Sequence, residues 1–232
     1  MTKKVSEHIL IGAAIFGLAT IILAIIMLFT FPMSAELSEG FRSPIIAFEF
    51  AKTEADLAFL SGSSELSRLN RESMDAGHQW DMFFPFAYGG FIALMLLKLA
   101  RGGRGFAWLG ILFALLIIPF DLNENQTLLQ ITAALEHSNS VETLLPALHT
   151  ATWLKWGAIG LSIAVLSLGF VANKEYSSAA LCALTALSIA ASWGTNAEPN
   201  ITEAMSIILS LFFLIFSIQA CIQIWRLSRH ST

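Results

Sequence analysis

The chain has 232 residues, 56% of them hydrophobic and only 13% charged, where a soluble domain carries about 25% charged residues. Several uncharged runs approach the roughly 20 residues that cross a bilayer. The net charge of −4 comes without a basic patch or basic–aromatic interleaving, which excludes nucleic acid as a partner. Composition therefore predicts one all-α membrane domain over residues 1–232, a bundle of about six transmembrane helices whose first partner is the lipid bilayer.

In chain order, a basic start is followed by a charge-free run over residues 9–31. That run is longer than the 7 to 15 apolar residues of a signal peptide, so it is expected to be a retained first span, ended by Pro32. Residues 33–79 are polar and acid-rich. Within them, 44–60 reads as an amphipathic helix, with Ile45, Phe48, Leu57 and Leu60 opposite Glu49, Lys52, Glu54 and Asp56. After Ser61-Gly62-Ser63, residues 65–75 read as a second short helix, and the pair is expected to lie on the membrane surface.

The second span is predicted over 79–97, with Asp81, Pro85 and Tyr88 on one stripe and His78 just outside it. A basic, glycine-rich loop with Lys98, Arg101 and Arg104 leads to a third span over 106–120. An acidic loop then precedes a fourth span over 146–172, where Pro146 suits a first helical turn. The fifth, 177–193, carries a small or polar stripe (Ser178, Cys182, Thr185, Ser192) fitted to close helix packing. The sixth covers about 205–225. Cys182 and Cys221 lie far apart in apolar runs, which supports neither a disulfide nor a thiolate metal site.

Bases fix the expected orientation. Lys98, Arg101, Arg104, Lys174, Arg226 and Arg229, with Lys3 and Lys4, all fall on one side of a six-span arrangement. Lys and Arg collect in cytoplasmic loops. Both termini are thus expected inside a bacterial inner membrane, and the 33–79 segment is expected to be extracytoplasmic.

The stretch that stands out is Pro119-Phe120-Asp121-Leu122-Asn123-Glu124-Asn125, where acids and amides follow an apolar run without a break. An acid at a helix centre costs roughly 2.5 to 3.5 kcal/mol on insertion scales. Asp121, Glu124, Asn125 and Leu128 share one helix face. Measured along the helices from Lys98 to Asp81, from Arg104 to Asp121 and from Lys174 to Lys155, each ionisable group lies roughly 25 to 28 Å from the basic edge. Three helices thus bring charge to one level, as a cup facing outward. Closely packed carboxylates cannot all stay ionised, so at least one is expected to hold a proton and to serve as an acid, a proton site or a cation site. Tyr88 and Asn125 are placed to orient a ligand or the acids.

Against this stands a purely structural reading, in which Lys155 pairs with Asp121 and ties two helices together. A metal set of His78, Asp81, Asp121, Glu124 and His149 lacks any H-E-x-x-H spacing, and no metal is predicted. Neither a G-x-S-x-G motif nor a serine clearly paired with His149 supports nucleophilic catalysis. The residues name no cofactor.

Phe48-Glu49-Phe50-Ala51-Lys52-Thr53 before the second span, Asp81 and Tyr88 within it, Asp121-x-x-Glu124-Asn125, and Lys155-Trp156 resemble a loose group of uncharacterised bacterial multi-pass membrane proteins with a D-x-x-E-N motif. The resemblance covers roughly residues 40–170 and implies an inner-membrane location without an activity. The chain lacks the several histidines of ceramidase-like membrane hydrolases, which argues against that class. The leading expectation is a carboxylate/lysine site of Asp81, Tyr88, Asp121, Glu124, Asn125 and Lys155 that binds a small molecule, lipid headgroup or cation. The alternatives are an enzyme acting on a lipid-like substrate by acid–base chemistry, and an accessory subunit with a membrane-protein partner.

Overall fold

The computed structural model describes residues 3–33 and 35–229; the side chains of Lys3 and Lys4, counted above, lie outside it. Among the described residues the secondary structure is entirely helical. The helix α1 (Lys3–Thr30) is apolar on every side and stops where Pro32 cannot continue it. After an irregular stretch come α2 (Pro44–Glu49), a 3₁₀ helix (Glu54–Leu60) and α3 (Glu65–Asp81). Then follow α4 (Phe84–Arg101), α5 (Ala107–Glu136), α6 (Leu145–Ala172), α7 (Tyr176–Gly194) and α8 (Pro199–Arg229). Six of these segments, with α3 and α4 counted as one, are long and apolar enough to cross a membrane. The chain is a multi-pass membrane protein.

Neighbours run round the bundle in the order α1, α4, α5, α6, α7, α8 and back to α1. The N-terminal end of α1, the C-terminal end of α8 and the basic turns lie at one end of the bundle; α2, the 3₁₀ helix and the acidic turns share the other, here called the capped end. Two close approaches set how α1 leans. A Cβ on Gly17 would sit 2.6 Å from Ser217 Oγ, so glycine lets α1 lie directly on α8. At the capped end a Cβ on Gly77 would sit 2.2 Å from the Phe31 ring, so there α1 rests on α3 instead.

Two expectations change in detail. Residues 44–60 are not one helix: Phe50–Thr53 interrupts it, and the carboxylate of Asp56 receives the Thr53 N–H (2.9 Å) to start the 3₁₀ helix. Residues 65–75 are not a separate short helix but the first part of α3, which Ser64 caps through the Ser67 N–H (3.1 Å). Asp81 therefore closes α3, ahead of a break at Met82–Phe83, rather than lying inside the following helix.

The whole α2–3₁₀ strap is packed down. Phe48, Leu57 and Leu60 are fully buried against Met74 of α3, Leu128 and Ile131 of α5 and Leu148 of α6. Each such side chain contributes roughly 1.5 to 3 kcal/mol of apolar burial. Polar ties reinforce it: Asn70 donates to the Phe59 carbonyl (2.9 Å), Arg71 to the Leu60 carbonyl (2.5 Å) and Lys52 to the Asn196 carbonyl (2.6 Å). At its front edge, the amides of Arg42 and Ser43 both donate to Glu203 Oε1 near the start of α8, at 2.9 and 2.8 Å.

Candidate functional site

Under the strap, five helices contribute polar side chains to one buried cluster. The α5 face Asp121, Glu124, Asn125 points inward as its spacing requires, and these three residues are at most 2% exposed. Asp121 is held from both sides: Tyr88 of α4 donates its hydroxyl to Oδ2 (2.5 Å), and the Asn125 amide donates to Oδ1 (3.2 Å). Asp81, from the last turn of α3, is also buried.

Lys155 of α6 does not pair with Asp121. Its ammonium contacts Glu124 Oε2 directly and lies 3.1 Å from Glu49 Oε2. Glu49 is the residue that sequence reasoning put on the wrong face, as a solvent-facing acid of an amphipathic helix. Here it ends α2 and is only 6% exposed. One face of α6 grips it at three successive positions. The Thr152 hydroxyl donates to its carbonyl (3.1 Å), Lys155 pairs with its carboxylate, and the Trp156 indole donates to Oε2 (3.2 Å). The signal was present as a lone acid between Phe48 and Phe50, an unusual setting for a solvated side chain. Glu203 was also missed: it lies just ahead of the sixth span as read from sequence, about 205–225, and here serves as the acceptor for the strap.

Four buried carboxyls, Glu49, Asp81, Asp121 and Glu124, therefore lie in one cluster with a single ammonium, which pairs with Glu49 and Glu124. Charges there are costly unless well paired. The same region is short of donors. Glu124 Oε1 and Asn125 Oδ1 have no hydrogen-bond partner. His78, fully buried between the rings of Phe31 and Phe48, uses Nδ1 on the Met74 carbonyl (2.7 Å), which leaves Nε2 as a further unmatched acceptor. His149 stands apart, exposed beside Trp153. Among the described residues no three His, Cys, Asp or Glu side chains converge as a metal site requires.

Beside the cluster is a cavity of about 290 Å³. Asp81, Tyr88, Asp121, Lys155 and Glu49 face it, while Glu124 and Asn125 stand behind that wall. Ser43, Ile45 and Ile46 roof it. The predicted cup is thus covered by α2 at the capped end. With room for about ten groups of water size at ~30 Å³ each, it accommodates a small molecule or the head of a larger one.

No family model, curated protein or solved structure matches the chain. The functional reading stands on the geometry alone.

Proposed function

We propose that the protein is a ligand-binding protein of a bacterial inner membrane, whose buried carboxylate/lysine cluster takes a small ligand, headgroup or cation rich in hydrogen-bond donors. The observation that carries this reading is four carboxyls on one lysine beside a cavity of about 290 Å³. A cluster that served only to join helices would be expected to match acceptors with donors, and replacing such a buried pair by packed apolar residues is often neutral or stabilising. Here the excess is all of one kind, acid and acceptor, next to open space. Asp81 and Asp121 are the groups left to meet the ligand, Tyr88 and Asn125 fix Asp121, and Lys155 with Glu49 and Glu124 holds the wall together. The basic end is assigned to the cytoplasm because Lys98, Arg101, Arg104, Lys174, Arg226 and Arg229 collect there.

The test is thermal unfolding of the detergent-purified full chain against a panel of soluble amines, guanidines and monovalent cations. A ligand present at a hundred times its Kd adds about 2.7 kcal/mol, a readily measured rise in Tm. That rise should vanish in Asp121→Asn and Asp81→Asn proteins that still unfold cooperatively. If those variants alter stability while no panel member raises the wild-type Tm, the cluster is structural and the reading fails.

A second reading is favoured by one arrangement, the Tyr88 hydroxyl donating to Asp121 with Asp81 facing the same cavity. Paired acid and base groups of this kind suit proton transfer to or from a lipid-like substrate. It predicts turnover that disappears in folded Asp121→Asn protein, with binding retained.

A further inference from the structure

The cavity has walls of two different characters. Besides its charged groups it is lined by Met27 of α1 and by Leu209 and Phe213 of α8. Three other lining residues, Ala24, Leu28 and Ser210, are exposed on the outer surface of the bundle. All three lie within helices long and apolar enough to span a membrane, so the mouth faces sideways, toward the place of lipid tails. Along α1 the lining residues Ala24, Met27 and Leu28 fall between Gly17, which lies close against Ser217 of α8, and Phe31, which lies close against Gly77 of α3. From the capped end the same space is roofed by Ser43, Ile45, Ile46 and Glu49.

The charge of the wall selects the head that fits. Lys155 is already engaged by Glu49 and Glu124, so the acidic groups left facing the cavity without a cation are Asp81 and Asp121. An anionic head would find no unengaged cation there, since Lys155 is already paired, whereas an ammonium brings both positive charge and N–H donors. An apolar slot leading to such a wall matches a molecule with a hydrocarbon tail and a cationic tip. We infer that the cavity admits the head of a single-chain or double-chain membrane amphiphile carrying a primary ammonium group, and that this ligand enters laterally between α1 and α8. The inference rests on the reading of the cluster as a ligand site and adds the ligand's class and route.

The experiment uses the full chain in phosphatidylcholine nanodiscs with a photoreactive, diazirine-tagged octadecylamine, and maps labelled residues by mass spectrometry. Labelling is expected at Ala24–Leu28 and Leu209–Phe213. Excess octadecylamine should compete it at least tenfold, while octadecanol should not, and it should fall at least tenfold in Asp121→Asn. Should that variant not fold, the two competitors on the wild-type chain decide the matter. Equal competition by octadecanol would overturn the ammonium assignment. Labelling confined to the strap and the capped ends of α5 and α6 would overturn the lateral route. A soluble amine such as ethylamine is run in parallel in the thermal assay. If ethylamine stabilises the protein but octadecylamine does not label it, the amphiphile inference falls and the site reading survives. If neither acts, both fall.

Discussion

Lys155 is the residue on which the most depends. It is 5% exposed and is the ammonium shared by Glu49 from the strap and Glu124 from α5. Removing one member of a buried ion pair leaves the other charged and dry, typically at a cost of 3 to 5 kcal/mol. Lys155→Met should therefore destabilise the protein by about that amount in denaturation of the purified chain. Adding Glu49→Gln and Glu124→Gln to it should recover most of the loss, because no carboxylate is then stranded. A triple variant no better than the single one would mean that the cost is lost packing rather than unpaired charge. The importance of Lys155 was legible as an ionisable residue deep in an apolar run, but its partner was not. Helical spacing placed Asp121, Glu124 and Asn125 together on one face. It could not say which of these three neighbouring side chains the long lysine side chain would reach.

At the level of elements, α2 is decided by what lies beneath it rather than by its own six residues. Glu49 at its end would be a surface acid on any isolated amphipathic helix. Tertiary contacts with Thr152, Lys155 and Trp156 turn it inward. Local periodicity carries no information about a partner roughly a hundred residues away, which is why the strap was the poorest-read part of the chain. The six spans were well read because their signal is length and hydropathy, both local. The position of α1 is set by contacts of the same non-local kind. Gly77→Ala places a methyl group inside the van der Waals radius of the Phe31 ring, which also packs on His78 at 5.3 Å between centroids. Overpacking of a rigid ring costs about 1 to 3 kcal/mol, so the variant should melt earlier. Its Phe31→Leu partner should restore much of the loss by making room. No drop in Tm for Gly77→Ala would show that α1 is free to shift at this end.

For the whole molecule, the strap is joined to two of the bundle's end turns, and one of those joints titrates. Glu54 accepts from the Ser140 hydroxyl (2.6 Å) and the Val141 amide (2.7 Å), and these bonds hold its carboxyl below its ordinary value of 4.5. A lowered folded value means that the folded state prefers the ionised form. The contact therefore contributes fully above the ordinary value and is lost as the pH falls through the lowered one. Between neutral pH and about pH 3 the Val141 amide resonance should move in an NMR titration of micelle-bound protein, with its midpoint below 4.5. In Glu54→Gln the amide should not follow that transition. A midpoint above 4.5 in the wild type would contradict the contact. The bundle as a ring has a further consequence, which concerns the order of synthesis. α1 leaves the ribosome first and α8 after every other part of the site, yet the two are neighbours, and Glu203 of α8 receives the amides of Arg42 and Ser43 that anchor the strap. Until α8 is inserted, the strap has no front anchor and the cavity no wall at Leu209 and Phe213. Each nascent chain thus passes through a period in which its buried acids are made but not enclosed, and maturation of the site is timed by the insertion of α8.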